Sequence, residues 1–259
     1  MIVDKQIIIV NGLKFSGTPR IFLNDFRVLL TNCKSFDEFN SQNQHNYGSV
    51  DDWLGLSSID TISFNRNSKL LASLYLKIPE SNFEIEGLDV LGKKNGWLKF
   101  IEPNKPMLVE PFEYKHYFEE LDLLFCFENS ETVKEGIEEL KLNQQISLFF
   151  DSNNNYCAWG LYSPGEWITD GFEELQSRNE PFLKKAIKSC LELMDTTTYN
   201  LMDIEDEEIL IEIASLYKDL SMLQEKTESR QVELLKSWLL DQCDRYYFNL
   251  DYKEFFQSV

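Results

Sequence analysis

The distribution of glycine and proline constrains the fold of this chain more than any other feature of the sequence. All 11 glycines lie at or before Gly171, and six of the seven prolines lie at or before Pro164. Beyond Phe172 the sequence has Pro181 as its one remaining residue of either kind. Because both residues mark turns, we expect short elements in the first part and long helices in the second. The expected class is α+β: mainly antiparallel β-hairpins with short helices, then an all-helical C-terminal part.

The same distribution divides the 259 residues into two regions. We predict an α+β domain over residues 1–165 and a helical region over residues 166–259 that packs on it. A chain of this length buries roughly 73% of its unfolded surface, so its core needs neither a disulfide nor a metal. Residues 62–79 and 146–164 both read as strand, Asn-rich turn, strand and proline. This likeness raises the hypothesis that the first domain contains two related small units.

Hydrophobic periodicity and turn residues predict the individual elements. Hairpins are expected where two apolar runs flank a short turn: 5–10 with 13–15, 61–65 with 69–78, and 83–91 with 97–101. Further strands are expected in three apolar runs: 121–127, 145–151 and 156–162. Helices are expected where a capping residue precedes an apolar stripe: 18–30, a short helix after Ser35, 131–141 after Ser130, 181–195, 203–226 and 229–247.

The net charge narrows the choice of partner. The chain has 44 acidic and 25 basic residues, which gives a net charge of −19 at pH 7. Such a surface repels nucleic-acid phosphates and anionic membranes, so we expect neither as a partner. It attracts cationic molecules over long distances, and a basic protein is therefore the expected partner. A high net charge also maintains solubility, which would explain the acidity without any partner.

The cysteines and the N-terminal residues predict a cytoplasmic location. No basic leader precedes the first apolar run, and no run approaches the length of about 18 residues that a membrane-spanning helix requires. The five cysteines are odd in number, widely spaced and without a CxxC pair. They therefore read as small hydrophobic residues in a reducing compartment rather than as disulfides or metal ligands.

The densest acidic run supplies the candidate partner-binding residues. It spans positions 203–208, and its carboxylates belong to Asp203, Glu205, Asp206, Glu207 and Glu208. We predict that these side chains bind a basic patch on the partner. The competing explanation is local, because acidic residues in the first turn stabilise a helix and Asp203 could cap it.

The motifs for nucleophilic and cofactor chemistry are incomplete. The two histidines, His45 and His116, are not part of a GxSxG or a recognisable Cys–His arrangement, although Cys126 could pair with His116 in space. The glycines of 12–17 have P-loop spacing but lack the lysine that contacts phosphate. The polar turn 151–155 begins like a calcium loop but lacks the glycine and the final carboxylate that such a loop requires. We therefore predict no catalytic residues, no cofactor and no metal.

These observations favour a non-enzymatic acidic binding protein, a cytoplasmic inhibitor or immunity-type protein that masks a basic partner such as a toxin. The alternative is a metal-dependent hydrolase or nuclease-like enzyme that uses Asp89, Glu113 and Lys115, two carboxylates for Mg²⁺ and a lysine for the transition state. A third possibility is an assembly subunit whose helical part forms an oligomer interface. The sequence leaves the oligomeric state open.

Overall fold

The computed structural model describes residues 7–12, 14–47, 60–101, 109–173, 175, 181–250, 252 and 256. The strands are β1 (Ile7–Asn11), β2 (Thr18–Phe22), β3 (Arg27–Thr31), β4 (Asn46–Tyr47), β5 (Thr61–Asn65), β6 (Leu71–Lys77), β7 (Ser81–Asn82), β8 (Val90–Phe100), β9 (Tyr114–Phe118), β10 (Leu123–Phe127), β11 (Ile137–Lys141), β12 (Ile146–Phe150) and β13 (Tyr156–Tyr162). The α-helices are α1 (Phe36–Asn43), α2 (Ser130–Lys134), α3 (Pro181–Leu193), α4 (Thr196–Asp203), α5 (Glu207–Gln224) and α6 (Arg230–Tyr246). The α+β class with a helical C-terminal region is confirmed.

The strands form two sheets. One sheet has eight strands in the order β1-β8-β11-β12-β13-β10-β9-β7, and the other has five in the order β2-β3-β6-β5-β4. Neighbouring strands are antiparallel except for β8 with β11 and β7 with β9. The prediction of mainly antiparallel pairing is therefore correct.

The two sheets repeat one topology. The repeated unit is β2–β6 in the five-stranded sheet and β9–β13 in the eight-stranded sheet. In each unit a hairpin is followed by a short helix and three strands. The spatial order of the five strands, numbered along the chain, is first, second, fifth, fourth, third. The hairpin turns also correspond, since Phe26 and Asp122 both have a φ of 49° immediately before the second strand. In the later turns, the side chains of Asn65 and Asp151 each accept two backbone N–H groups. An origin by duplication stays a prediction.

One hydrophobic core joins the sheets and the helices. It includes Leu74 of the five-stranded sheet, Trp159 of the eight-stranded sheet and Trp238 of α6, each at most 2% exposed. A second, smaller cluster covers the opposite face of the eight-stranded sheet and centres on Phe125 and Phe149. The central strands β10 and β12 are buried along their whole length, and Ser147 is the one polar residue in the two strands.

The helix predicted over residues 18–30 is wrong, because this segment forms the β2–β3 hairpin. Its apolar residues fit a helical stripe, but all five residues of β3 are buried and pair with strands on both sides. Pro19 is tolerated because β2 is an edge strand of its sheet. Proline lacks an N–H, and an edge strand can accommodate it without the loss of a hydrogen bond between strands. Pairing within the sheet thus overrides the local helical pattern.

Two predicted hairpins are also wrong. Strand β1 pairs with β8 rather than with residues 13–15, of which Leu13 lies outside the described residues, as does Lys5. The predicted turn at residues 93–96 lies inside β8, which is one continuous strand from Val90 to Phe100. These residues remain extended because β8 has β1 on one side and β11 on the other. The pairing partners are distant in sequence, so no local signal indicates them.

The helix predicted over residues 131–141 is too long. The side chain of Asn129, not Ser130, caps α2 by accepting the N–H of Glu131, and α2 ends at Lys134. Gly136 then adopts a φ of 91°, a left-handed conformation that glycine reaches without strain. Ile137 begins β11 immediately afterwards, between β8 and β12. The glycine therefore separates a helix from a strand within the predicted segment.

Candidate functional site

The acidic run lies at the junction of α4 and α5. Asp203 is the last residue of α4, Glu205 adopts a positive φ of 56° in the turn, and α5 begins at Glu207. The prediction of one helix from residue 203, capped by Asp203, is therefore wrong. Asp206 is the capping residue, because its side chain accepts the N–H groups of Glu208 and Ile209 at 3.0 and 3.2 Å.

Two of the five predicted carboxylates hold the local structure together. Besides the cap formed by Asp206, Glu205 accepts the backbone N–H and the side-chain amide of Asn249 at 3.1 and 2.8 Å. The hydroxyl of Tyr247 donates to the carbonyl of Asp206 at 3.0 Å. The junction is thereby fastened to the end of α6, and both carboxylates have partners within the chain.

The other three carboxylates are free for an outside partner. Asp203, Glu207 and Glu208 are exposed, and none of them forms an ion pair with another described residue. Glu208 also lines a groove between α3 and α5, which connects the acidic run to a larger surface. The role of the run in partner binding stays a prediction.

The groove between α3 and α5 has a volume of about 670 Å³. Its apolar surface includes Phe182 and Ala186 from α3 and Leu220 from α5. Ile211 and Met222 also line it, and these two side chains are 48% and 47% exposed. Ile211 and Met222 lie about three turns apart on α5, so exposed apolar side chains occur along the length of the groove, as they do on protein-interaction surfaces.

Negative charge accompanies this apolar surface. Glu208, Glu212 and Asp219 line the groove from α5, together with Lys185 and Lys226. Partial burial raises the pKa of Glu192, at the end of α3, and the nearby charge of Glu212 raises it further against the opposing effect of Lys188. Glu192 and Glu212 therefore repel each other, and a cation bound near Glu212 would relieve this repulsion.

Sequence reasoning missed most of the groove. It singled out Glu208 but neither Glu212 nor Asp219, and it assigned no role to Ile211 or Met222. The available signal was the pair of aliphatic residues that lie away from the buried stripe of α5, since they interrupt an otherwise polar helix face. The second wall could not be inferred, because nothing in the sequence shows that α3 packs beside α5.

The residues of the enzyme alternative do not lie together. Lys115 of β9 is 1% exposed, and its ammonium donates to the backbone carbonyls of Glu80, at 3.1 Å, and Met194. Burial lowers the pKa of Lys115 to about 8. Glu113 is exposed at the start of β9, whereas Asp89 precedes β8, from which β9 is separated by four intervening strands. Among the described residues, no group of three or more potential ligands could hold a metal ion.

The histidines and Cys126 are also apart. His116 lies opposite Phe125 in the sheet, and Cys126 lies opposite Lys115, so the side chains of His116 and Cys126 project from opposite faces. Burial raises the pKa of the Cys126 thiol well above its usual value, which disfavours the thiolate. His45 is exposed after α1. Packing accounts for Cys126 without any catalytic role.

Most aromatic residues of the C-terminal segment pack within the chain. Tyr247 and Tyr252 are buried, Tyr246 stacks on Tyr199 at 5.9 Å, and Phe256 contacts Tyr217 at 5.2 Å. Phe248 is exposed. These contacts fasten the end of the chain to α4 and α5.

No protein-family model matches the sequence, and no curated protein is significantly similar to it. In the described part of the chain, none of the helices is both long and apolar enough to cross a membrane.

Proposed function

We propose that this protein is a non-enzymatic binding protein, a cytoplasmic inhibitor or immunity-type protein that masks a basic protein partner such as a toxin. The observation that carries the proposal is the groove between α3 and α5, which combines exposed aliphatic side chains with carboxylates. The net charge of −19 supports the same assignment, because it attracts basic proteins and repels phosphate backbones and anionic membranes. The proposed partners therefore include neither nucleic acids nor anionic membranes.

The occupant that suits the groove is an amphipathic helix of the partner with Lys and Arg beside its apolar stripe. A helix presents side chains at intervals of three and four residues, and a groove between two helices accepts such a row. Its apolar side chains would cover Ile211 and Met222. Its cations would meet Glu208, Glu212 and Asp219, the three carboxylates that line the groove. Long-range attraction would then promote encounter, and apolar burial would slow dissociation.

The cysteines support the cytoplasmic part of the proposal. All five are free, and all five are buried. A buried thiol acts as a small hydrophobic residue and needs no oxidising compartment.

A charge-matched pair of variants tests the proposal. In one variant, Glu208→Gln, Glu212→Gln and Asp219→Asn remove three charges from the groove. In the control, Glu128→Gln, Glu131→Gln and Glu135→Gln remove three charges from exposed positions in and beside α2. The wild-type protein is used for affinity capture in its host, and the captured protein is purified and titrated against all three forms.

We expect a basic captured protein whose affinity falls by roughly tenfold or more in the groove variant and stays near the wild-type value in the control. Equal losses in the two variants would show that net charge alone governs binding and would contradict the groove assignment. Capture of no basic protein would contradict the proposed function.

The alternative of a metal-dependent hydrolase or nuclease-like enzyme has its own test. Calorimetric titration with Mg²⁺ or Mn²⁺ should give no specific uptake if the binding-protein proposal is correct. Uptake that Glu113→Gln abolishes would favour the enzyme instead.

A further inference from the structure

A second cavity, of about 780 Å³, lies away from the groove and has the opposite charge. It is bounded by residues 14–20 around the start of β2, by the 143–145 turn between β11 and β12, and by Trp167, Phe172 and Leu175. Three cations line it: Lys14, Arg20 and Lys34. None of its described lining residues is acidic, although the chain carries 44 acidic residues.

The walls of this cavity are built by specific contacts. The N–H of Phe15 donates to the carbonyl of Leu142 at 2.8 Å, and the amide of Asn143 donates to the carbonyl of Gly17 at 3.0 Å. At Gly17, a Cβ atom would stand 2.1 Å from a ring carbon of Phe15 and 2.9 Å from the carbonyl carbon of Thr31. Only glycine allows this close approach of Gly17 to Phe15 and to the backbone of β3.

Arg20 is a buried cation that forms no ion pair with an acidic residue in the described part of the chain. It is 7% exposed, and among the described residues its guanidinium donates to the carbonyls of Thr18, at 3.2 Å, and Phe172, at 3.4 Å. Its Nε has no hydrogen-bond partner. Burial lowers the pKa of Arg20, and the charge of Glu173 opposes this effect only in part. The Glu173 carboxylate itself accepts the hydroxyl of Thr169 at 2.5 Å. A buried guanidinium left in this state is stabilised when an anion binds beside it.

The remaining lining residues indicate an anion with an apolar part. Trp167, Phe172 and Leu175 provide an apolar wall, and Arg20 stacks over the ring of Phe172 at 4.8 Å. Lys14 and Lys34 are exposed, so their flexible ammonium groups can reach a ligand at the rim. Three positive charges match a phosphate dianion better than a single carboxylate. The volume also exceeds what a bare phosphate ion would fill.

We propose that this cavity binds a small organic phosphate monoester. Arg20, Lys14 and Lys34 hold the phosphate, and the organic group packs on Trp167 and Phe172. The ligand is small because the rest of the surface repels polyanions, whereas a compact dianion inside the cavity is shielded from charges beyond about 8 Å by salt. This site is independent of the groove and of the proposed basic partner.

Calorimetry with three probes at physiological ionic strength, about 0.15 M, tests the site: phenyl phosphate, inorganic phosphate and benzoate. We expect phenyl phosphate to bind more tightly than the other two. The double variant Lys14→Gln/Lys34→Gln should weaken its binding by about tenfold, because two of the three cations are removed. The control Lys134→Gln/Arg245→Gln, which removes two exposed cations elsewhere, should bind like the wild type.

Arg20→Gln extends the test to the buried cation, with circular dichroism to show that the variant folds. A folded Arg20→Gln protein should bind phenyl phosphate more weakly than the wild type. No binding of any probe, or equal losses in the Lys14/Lys34 variant and its control, would overturn the proposal. Equal affinity for inorganic and phenyl phosphate would overturn the assignment of an organic group, and tightest binding of benzoate would overturn the assignment of a phosphate.

Discussion

Asp60 is a buried carboxyl group in the core between the sheets. It is fully buried, one carboxyl oxygen accepts the N–H of Lys77 at 2.7 Å, and the other has no hydrogen-bond partner among the residues that the structure describes. Burial raises its pKa to about 7, against the opposing effects of that N–H and of the charges of Arg27 and Lys77. The folded protein therefore retains a proton that the unfolded chain releases near pH 4.

This retained proton predicts a pH dependence of stability. Because the folded state binds more protons than the unfolded state between pH 4 and pH 7, the free energy of unfolding should fall as the pH rises through that range. Asp60→Asn keeps an acceptor for Lys77 and removes the ionisation, so it should be more stable than the wild type at pH 8 by roughly 2–4 kcal/mol. Urea unfolding at pH 5, 6, 7 and 8 measures the difference. Parallel pH profiles for the two proteins would contradict the assignment.

Lys115 shows how one residue can join two elements. Its ammonium leaves β9 and reaches the carbonyl of Met194 just after α3, as well as that of Glu80. Asp195, which caps α4, also accepts the N–H of Asn82 at 2.8 Å. The α3–α4 junction is therefore fastened to the edge of the eight-stranded sheet by polar contacts.

We predict that Lys115→Ala lowers the free energy of unfolding at pH 7 by about 3 kcal/mol. The change leaves a cavity and removes the donor from two backbone carbonyls. Since the pKa of Lys115 is lowered to about 8, wild-type stability should also rise between pH 8 and pH 10.5, where the unfolded chain still holds the proton. Denaturant unfolding of this variant and of Lys134→Ala, an exposed control, tests both expectations. A decrease in the free energy of unfolding of less than about 1 kcal/mol in Lys115→Ala would contradict the first expectation. A rise in stability between pH 8 and pH 10.5 that persists in Lys115→Ala would contradict the second.

The start of α5 separates two roles for the acidic run. Asp206 accepts two N–H groups of the first turn, which would otherwise lack partners, whereas Asp203 belongs to the preceding helix. Asp206→Ala should therefore lower the free energy of unfolding by about 1 kcal/mol. Asp203→Ala should change it by less than about 0.5 kcal/mol. Thermal or urea unfolding of both variants measures these changes in stability. If the two variants lost equal stability, the helix cap formed by Asp206 would not be a specific source of stability.

At the scale of the whole molecule, the charge of −19 should govern how fast a basic partner arrives. For binding of the captured partner to this protein, the association rate constant should fall by roughly tenfold between about 50 mM and 500 mM salt. The dissociation rate constant should change little over the same range. Ile211→Ser with Met222→Ser should instead raise the dissociation rate constant, because apolar contact in the groove is lost. Surface plasmon resonance measures both constants. An association rate that salt leaves unchanged would remove the electrostatic part of the proposal.

The sequence by itself determined the α+β class, the helical C-terminal part and the hairpin β5–β6 with its counterpart β12–β13. These depend on local chemistry: glycine and proline that break helices, and Asn65 and Asp151 that accept the N–H groups of their own turns. A local signal of this kind acts over a few residues, so it can be read without knowing the rest of the fold.

Only the tertiary structure decided which elements meet. It paired β1 with β8, turned residues 18–30 into a hairpin, buried Lys115 beneath α3 and placed α3 beside α5 to form the groove. Periodicity shows which side of an element is apolar, but many partners could cover that side equally well. The choice among them follows from packing across the whole molecule, and the groove and the cationic cavity exist only as consequences of that choice.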